Sequence, residues 1–92
     1  MEFNKDEKID RYYNLDEILK LDLDKEIKQN FEEKFGKTVF FDSNGSCKMG
    51  KLCGIEKNYQ LTMIYYIITD ADNKKMFVPV HQSITLLWWN MK

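Results

Sequence analysis

The stretch that decides the fold is TVFFDSNGSCKMGKLCGIE, residues 38–56. It opens with β-branched and aromatic residues, which are typical of a strand. Asn44-Gly45 then supplies the positive φ angles that a two-residue hairpin turn requires. The residues from Cys47 to Glu56 predict a second strand, and the glycines at 50 and 54 predict a bulge or sharp bend within it. The stretch therefore predicts an antiparallel hairpin whose second strand is bent.

Three more strands are predicted downstream, at Gln60–Thr69, Lys75–Val80 and Ile84–Trp89, with a short helical turn at residues 81–83. The first of these strands is apolar on both faces, because residues 61, 63, 65 and 67 and residues 64, 66 and 68 are all apolar or aromatic. Neither face should remain in water. We expect one face to line the core and the other to be covered by helices or by another molecule, including a second copy of the chain.

The segment before the hairpin predicts two short helices. Asn14 followed by Glu17 is typical of an N-cap. Apolar residues then recur every four positions from Leu23 to Phe35, and in one straight helix that spacing would rotate the stripe by about 40° per step. A break near Asp22 or Asp24 removes the conflict, and Gly36 is suited to end the second helix. The sequence thus predicts one α+β domain, with a helical acidic part at 1–36 and a β part at 37–92.

Charge divides the chain at the same place. Residues 1–34 hold 11 acidic and 7 basic groups, a net of −4, whereas residues 35–92 hold 4 acidic and 7 basic groups, a net of +3. The overall net charge of −1 gives no general attraction to nucleic acid or membranes. No long apolar run predicts a membrane span or a signal peptide. Two cysteines are too few for a disulfide scaffold, and we expect a cytoplasmic location.

Three segments of the β part resemble small SH3-like barrels, the class that includes SH3, Tudor and Sm-like domains. They are MGKLCGIEK (49–57), LTMIYYIITDADNKK (61–75) and MFVPVHQSITLL (76–87). The resemblance lies in a bent second strand with a G-K-x-x-G-I pattern, a long third strand, and V-P-V before a single turn. It implies that the two helices are followed by a five-stranded, strongly bent antiparallel barrel. It does not imply an activity, because one fold serves many functions.

The residues that could support catalysis do not form a recognisable set. His81 is the only histidine, and Ser83 is too near in sequence for an ordinary nucleophile and base pair. Cys47 and Cys53 lie in a strand pattern, where small buried cysteines are common. No C-x-x-C or H-x-x-x-H pair predicts a zinc site, and no glycine-rich loop predicts a nucleotide cofactor. We expect no enzyme activity, no metal and no cofactor.

Aromatic residues outside the expected core are the best candidates for binding. Alternation sends Trp88 and Trp89 to opposite faces, so we expect Trp88 in the core and Trp89 outside as a contact residue. The other predicted partner-binding residues are Tyr12, Tyr13 and Tyr59. We expect a small protein that binds another protein. Its size and its Lys-, Asn- and Ile-rich composition are similar to those of phage and mobile-element proteins, including anti-CRISPR inhibitors of host defence nucleases.

Two alternatives stay open. In the first, lysines interleaved with Tyr59 bind the phosphates and bases of a nucleic acid. The lysines of this set are Lys48, Lys51, Lys57, Lys74 and Lys75. In the second, the chain forms a structural homo-oligomer of the Sm-like type.

Overall fold

The protein is described from a computed structural model that covers residues 9–87. These residues form six strands and two helices in chain order. The elements are β1 (Ile9–Tyr12), α1 (Leu15–Leu19), α2 (Lys25–Lys34), β2 (Thr38–Ser43), β3 (Ser46–Asn58), β4 (Met63–Thr69), β5 (Lys75–Pro79) and β6 (Thr85–Leu86). Within residues 9–87, neither helix is long enough or apolar enough to cross a membrane.

All six strands belong to one antiparallel sheet organised around β3. The first half of β3 pairs with β2 and its second half pairs with β1, so these two strands share one edge of β3. The other edge pairs with β4, which in turn pairs with β5. β6 pairs with β2, so β5 and β6 lie at the two ends of the strand order. The protein is therefore a small, sheet-rich α+β fold, as the sequence predicts.

Two features of the sheet differ from the prediction. The five-stranded barrel is not confirmed, because the sheet formed by residues 9–87 is not closed. A sixth strand, β1, lies at Ile9–Tyr12, inside the part of the chain that was expected to be helical. Its sequence, IDRY, carries two charges and is short. Its strand conformation comes from pairing with β3, and local propensity cannot reveal that pairing.

The predicted turns and helix ends are confirmed. Asn44 and Gly45 have φ angles of +52° and +85° and form the β2–β3 turn, while Gly36 has a φ of +79° just after α2. The Asn14 side chain accepts a hydrogen bond from the Glu17 amide at 3.1 Å. α2 begins directly after Asp24, which confirms the restart between two helices.

The bend in β3 is a bulge between Leu52 and Gly54, where the register with β4 shifts. Gly54 is buried there because the backbone of β1 passes close by. A Cβ at this position would lie 2.4 Å from the Tyr12 carbonyl oxygen, so a side chain is excluded sterically.

The helices cover one face of the sheet and form the core with it. Ile18 of α1 and Phe31 of α2 are both fully buried and belong to the same cluster as the strand residues beneath them. The sheet contributes Val39, Phe41, Leu52, Ile55, Tyr66, Ile68 and Val78 to this cluster. On the opposite face of β4, Ile67 is also fully buried, beside its cross-strand partners Gly54 and Phe77.

Candidate binding surfaces

The face of the sheet that points away from the helices carries the first candidate surface. Cross-strand partners in one row point to the same side of a sheet. One row runs Arg11–Glu56–Tyr65–Pro79, and its neighbours run Gly54–Ile67–Phe77 and Ile9–Asn58–Met63. We call this surface the open face, made of Ile9, Arg11, Tyr13, Glu56, Met63, Tyr65, Ile67, Phe77 and Pro79.

An ion pair occupies the centre of the open face. Arg11 Nε donates a hydrogen bond to Glu56 Oε1 at 2.8 Å, and the two side chains are 46% and 8% exposed. The Arg11 guanidinium carbon also lies 5.1 Å from the centre of the Phe77 ring, in cation–π contact. A carboxylate this well buried needs such a partner. The pair therefore compensates the charge of Glu56 and leaves one side of Arg11 and Phe77 in solvent.

Apolar groups on the open face are more accessible than a covered sheet face would permit. Ile9 is 37% exposed, Phe77 38% and Tyr13 44%. The Tyr13 ring lies over Gly54, since a Cβ there would be 2.9 Å from one of its ring carbons. Ile9 and Tyr13 lie two positions on either side of Arg11 in the chain, and Phe77 lies against the Arg11 guanidinium, so all three are close to the Arg11–Glu56 pair.

The five predicted lysines do not form one patch. Lys51 and Lys75 share a row through Thr69, and Lys74 precedes Lys75 in the β4–β5 turn. The Lys75 ammonium lies 5.9 Å from the centre of the Tyr13 ring, which extends the open face with positive charge. Lys48 pairs with Phe41 near the β2–β3 turn. Lys57 lies nine residues further along β3, roughly 30 Å away at strand spacing.

Lys57 instead belongs to a second cluster at the far end of β3. We call it the corner cluster, made of Asp10, Tyr12, Lys57 and Tyr59. Asp10 and Lys57 are cross-strand partners, the Tyr12 hydroxyl donates to Asp10 Oδ2 at 3.4 Å, and the Lys57 ammonium lies 5.4 Å from the Tyr59 ring centre. The hydroxyl of Tyr12 is the main cause that raises the pKa of Tyr59 from 10.0 to about 12.

A small groove opens beside the corner cluster. It has a volume of about 250 Å³ and is lined by Lys57, Asn58, Tyr59, Thr62, Met63 and Ile64. The structure thus brings together two of the predicted contact residues, Tyr12 and Tyr59. It places the third, Tyr13, on the open face. Trp88 and Trp89 lie outside the described residues, so the assignment of Trp89 stays a prediction.

The nucleophilic side chains form no catalytic pair within residues 9–87. Cys53 Sγ lies 3.0 Å from Thr69 Oγ1 and 3.4 Å from the Ile67 carbonyl oxygen, contacts typical of a packed thiol. Both thiols are free, and Cys47 is exposed. In the same part of the chain, no three His, Cys, Asp or Glu side chains are grouped so as to hold a metal ion.

Sequence reasoning missed three residues that organise the open face, namely Arg11, Glu56 and Phe77. One signal was present, because Arg11 is the only arginine and arginine is favoured in paired and stacked sites. Its partners could not be found without the pairing of β1 with β3. Comparison of the chain with protein families, with curated proteins and with solved structures finds no match.

Proposed function

We propose that this chain is a non-catalytic protein that acts by binding another protein through the open face. The observation that carries the proposal is a sheet face with exposed aromatic and aliphatic side chains around a charge-compensated ion pair. Scattered apolar residues are normal on a protein surface, but a contiguous apolar patch usually marks an interaction site. Arginine and aromatic residues are also enriched among the residues that contribute most to binding energy.

The chemistry of the open face indicates what the partner offers. Phe77, Ile9 and Met63 favour an apolar contact. The half-exposed Arg11 has guanidinium donors besides the Nε–H group that bonds Glu56, and Lys75 adds positive charge beside Tyr13. A partner surface that combines apolar side chains with carboxylates would match both properties. The acidic residues of α1 and α2 belong to the other side of the sheet and do not oppose such a partner.

Capture from a bacterial lysate on the immobilised protein tests the proposal. We compare the wild type with Phe77→Ser on the open face and with Leu61→Ser as the matched control. Leu61 is 59% exposed and lies outside the open face, so both changes remove an exposed apolar side chain. We expect proteins retained by the wild type and by Leu61→Ser to be lost with Phe77→Ser. Equal retention by all three proteins would contradict a role of the open face.

A narrower form of the proposal makes the chain a phage inhibitor of a host defence enzyme, in the manner of anti-CRISPR proteins. The Lys-, Asn- and Ile-rich composition is the observation that supports this form. The test is coexpression with a CRISPR nuclease in cells challenged with a targeted phage. Restored phage growth with the wild type and lost growth with Phe77→Ser would support this form. Unchanged immunity with the wild type would remove it for that nuclease.

Nucleic-acid binding is the second candidate function, and one observation favours it. Two lysines lie over exposed tyrosine rings, Lys75 over Tyr13 and Lys57 over Tyr59, which combines phosphate-binding charge with stacking surfaces. Titration of a labelled single-stranded oligothymidylate at several salt concentrations tests it. Each phosphate neutralised should contribute about −0.7 to the slope of log affinity against log salt. Binding without salt dependence, or no binding at low salt, would remove this candidate.

A further inference from the structure

A cleft lies on the helix side of the sheet, away from the open face. It is bounded by α2, by β4 and by the chain segment that joins β5 to β6, and its volume is about 430 Å³. Its lining includes Asp24, Glu26, Asn30, Tyr66 and residues 81–83. The volume falls within the range of about 300–1,000 Å³ that is typical of ligand sites.

Three side chains beside the cleft form two consecutive hydrogen bonds that end on the Tyr66 hydroxyl. The Lys34 ammonium donates to Asn30 Oδ1, and Asn30 Nδ2 donates to the Tyr66 hydroxyl oxygen at 2.8 Å. Lys34 thereby fixes the orientation of the Asn30 amide, so that its NH₂ group faces Tyr66.

Among residues 9–87, the only hydrogen bond of the Tyr66 hydroxyl is the one that it accepts from Asn30. The residue is only 1% exposed, and its hydroxyl already accepts the bond from Asn30. Among residues 9–87 no group accepts the hydroxyl hydrogen of Tyr66. Burial also raises the pKa of Tyr66, with the Asn30 bond acting in the opposite direction, so the hydroxyl stays protonated at neutral pH. Water in the cleft can accept this hydrogen, so a ligand that displaces the water must supply an acceptor in its place.

Two exposed carboxylates, Asp24 and Glu26, line the cleft, and its described lining residues include no lysine or arginine. The Lys34 ammonium lies behind Asn30 and is compensated by Glu33, whose carboxylate oxygen is 3.5 Å away. A shallower depression continues along α2 past Glu26 to Glu33. A ligand that reaches Tyr66 therefore passes beside carboxylates, which favour a cation.

We propose that this cleft binds a positively charged segment of polypeptide. A backbone carbonyl of the segment accepts a hydrogen bond from the Tyr66 hydroxyl, while a lysine or arginine side chain reaches Asp24 and Glu26. A peptide supplies the acceptor and the cation on one short chain. This site is separate from the open face and does not depend on the function proposed for that face.

An NMR titration of the isotope-labelled protein tests the site, with acetylated and amidated pentalysine as the probe. We expect the largest shifts in the Asn30 side-chain amide and in the backbone amides of Glu26, Tyr66 and residues 81–83. Tyr66→Phe removes one hydrogen bond to the peptide and should weaken binding about three- to tenfold. Glu26→Gln should weaken it by a similar factor, because an ion pair beside the cleft is lost. Glu32→Gln removes the same charge from the same helix outside the cleft and should change affinity less than twofold.

The control variants separate a site from a general attraction between opposite charges. Equal weakening by Glu26→Gln and Glu32→Gln would overturn the proposal, as would shifts spread evenly over α1 and α2. The absence of binding at low salt would also overturn it. A thermal melt checks that Tyr66→Phe is folded, since that change leaves the Asn30 amide without its acceptor. If the variant is unfolded, the Glu26 and Glu32 pair still decides the outcome.

Discussion

The two faces of the sheet carry similar residues but differ in what covers them. On the helix side, Tyr66 and Ile68 of β4 are buried beneath Phe31 and Ile18. On the open face, the neighbouring residues Met63 and Tyr65 of the same strand are only half-buried, and Phe77 beside them is exposed. Apolar area removed from water stabilises the fold, whereas apolar area left in water remains available for contacts. The comparison therefore predicts that substitutions on the helix side cost more folding stability than substitutions of the exposed residues of the open face.

The largest loss of stability is expected for a substitution of Phe31, on the helix side of the sheet. Phe31→Ala removes a fully buried ring from the helix side and should lower the free energy of unfolding by about 3–5 kcal/mol. For a chain of this length such a loss is a large share of the total. Phe77→Ala on the open face should cost only about 1 kcal/mol, because surface changes seldom cost more. Urea unfolding followed by far-ultraviolet circular dichroism measures both, and equal losses would show that the open face is also part of the stabilising core.

Gly54 tests the close packing of β1 against β3 on the open face. Gly54→Ala places a methyl group against the Tyr12 carbonyl oxygen and the Tyr13 ring, and the backbone of β1 must move. Overpacking of this kind costs up to about 3 kcal/mol. Gly36→Ala is the control, since that position has a positive φ but open space around it and should lose only about 1 kcal/mol. A loss at Gly54 no greater than that at Gly36 would show that β1 is loosely attached to β3.

The Arg11–Glu56 ion pair is the polar part of the open face, and its contribution to stability can be measured. Arg11→Met leaves Glu56 buried without its partner, and a hydrogen bond to a charged group contributes about 1.5–3 kcal/mol. Because Arg11 is about half exposed, solvent screening reduces the expected loss to about 1–2 kcal/mol. Glu56→Gln in the same background should restore part of the stability. A double-mutant cycle in urea measures the coupling, and additive losses would contradict a functional ion pair.

Local signals predicted the local parts of this fold correctly. Asn14, Gly36 and Asn44-Gly45 each act through backbone conformation within a few residues, so their roles can be read without knowledge of the tertiary structure. The strand at Ile9–Tyr12 could not be predicted in this way, since it depends on pairing with residues 55–58 of β3. Closure into a barrel is also a property of the whole sheet. The resemblance to SH3-like barrels predicted it, and the sheet formed by residues 9–87 does not confirm it.

The candidate surfaces show the same division between local and long-range information. Tyr12, Tyr13 and Tyr59 stand out as aromatic residues beside predicted elements, so composition and position identify them. That Tyr12 joins Tyr59, while Tyr13 turns to the open face, follows from strand alternation in β1 and from its register with β3. The hydrogen bond from Asn30 to Tyr66 joins residues that are 36 positions apart, and no sequence spacing indicates it.

The smallest expected effect concerns the corner cluster at the end of the sheet. The pKa of Tyr59 is raised from 10.0 to about 12, chiefly by the Tyr12 hydroxyl and then by desolvation and Asp10. Between these two pH values the unfolded chain releases the Tyr59 proton while the folded protein keeps it. The folded state therefore binds more protons, and stability falls as the pH rises from 10 to 12.

Tyr12→Phe removes the largest of these causes and should move the pKa of Tyr59 back toward 10.0. The measurement is an NMR titration of tyrosine ring carbons, with the Tyr59 signal assigned by its loss in Tyr59→Phe. Tyr65→Phe is the control, because Tyr65 lies on the open face and should leave the titration of Tyr59 unchanged. If the pKa of Tyr59 stays near 12 in Tyr12→Phe, desolvation and Asp10 suffice to raise it. In that case the two tyrosines are independent contact residues, and the corner cluster does not act as a unit.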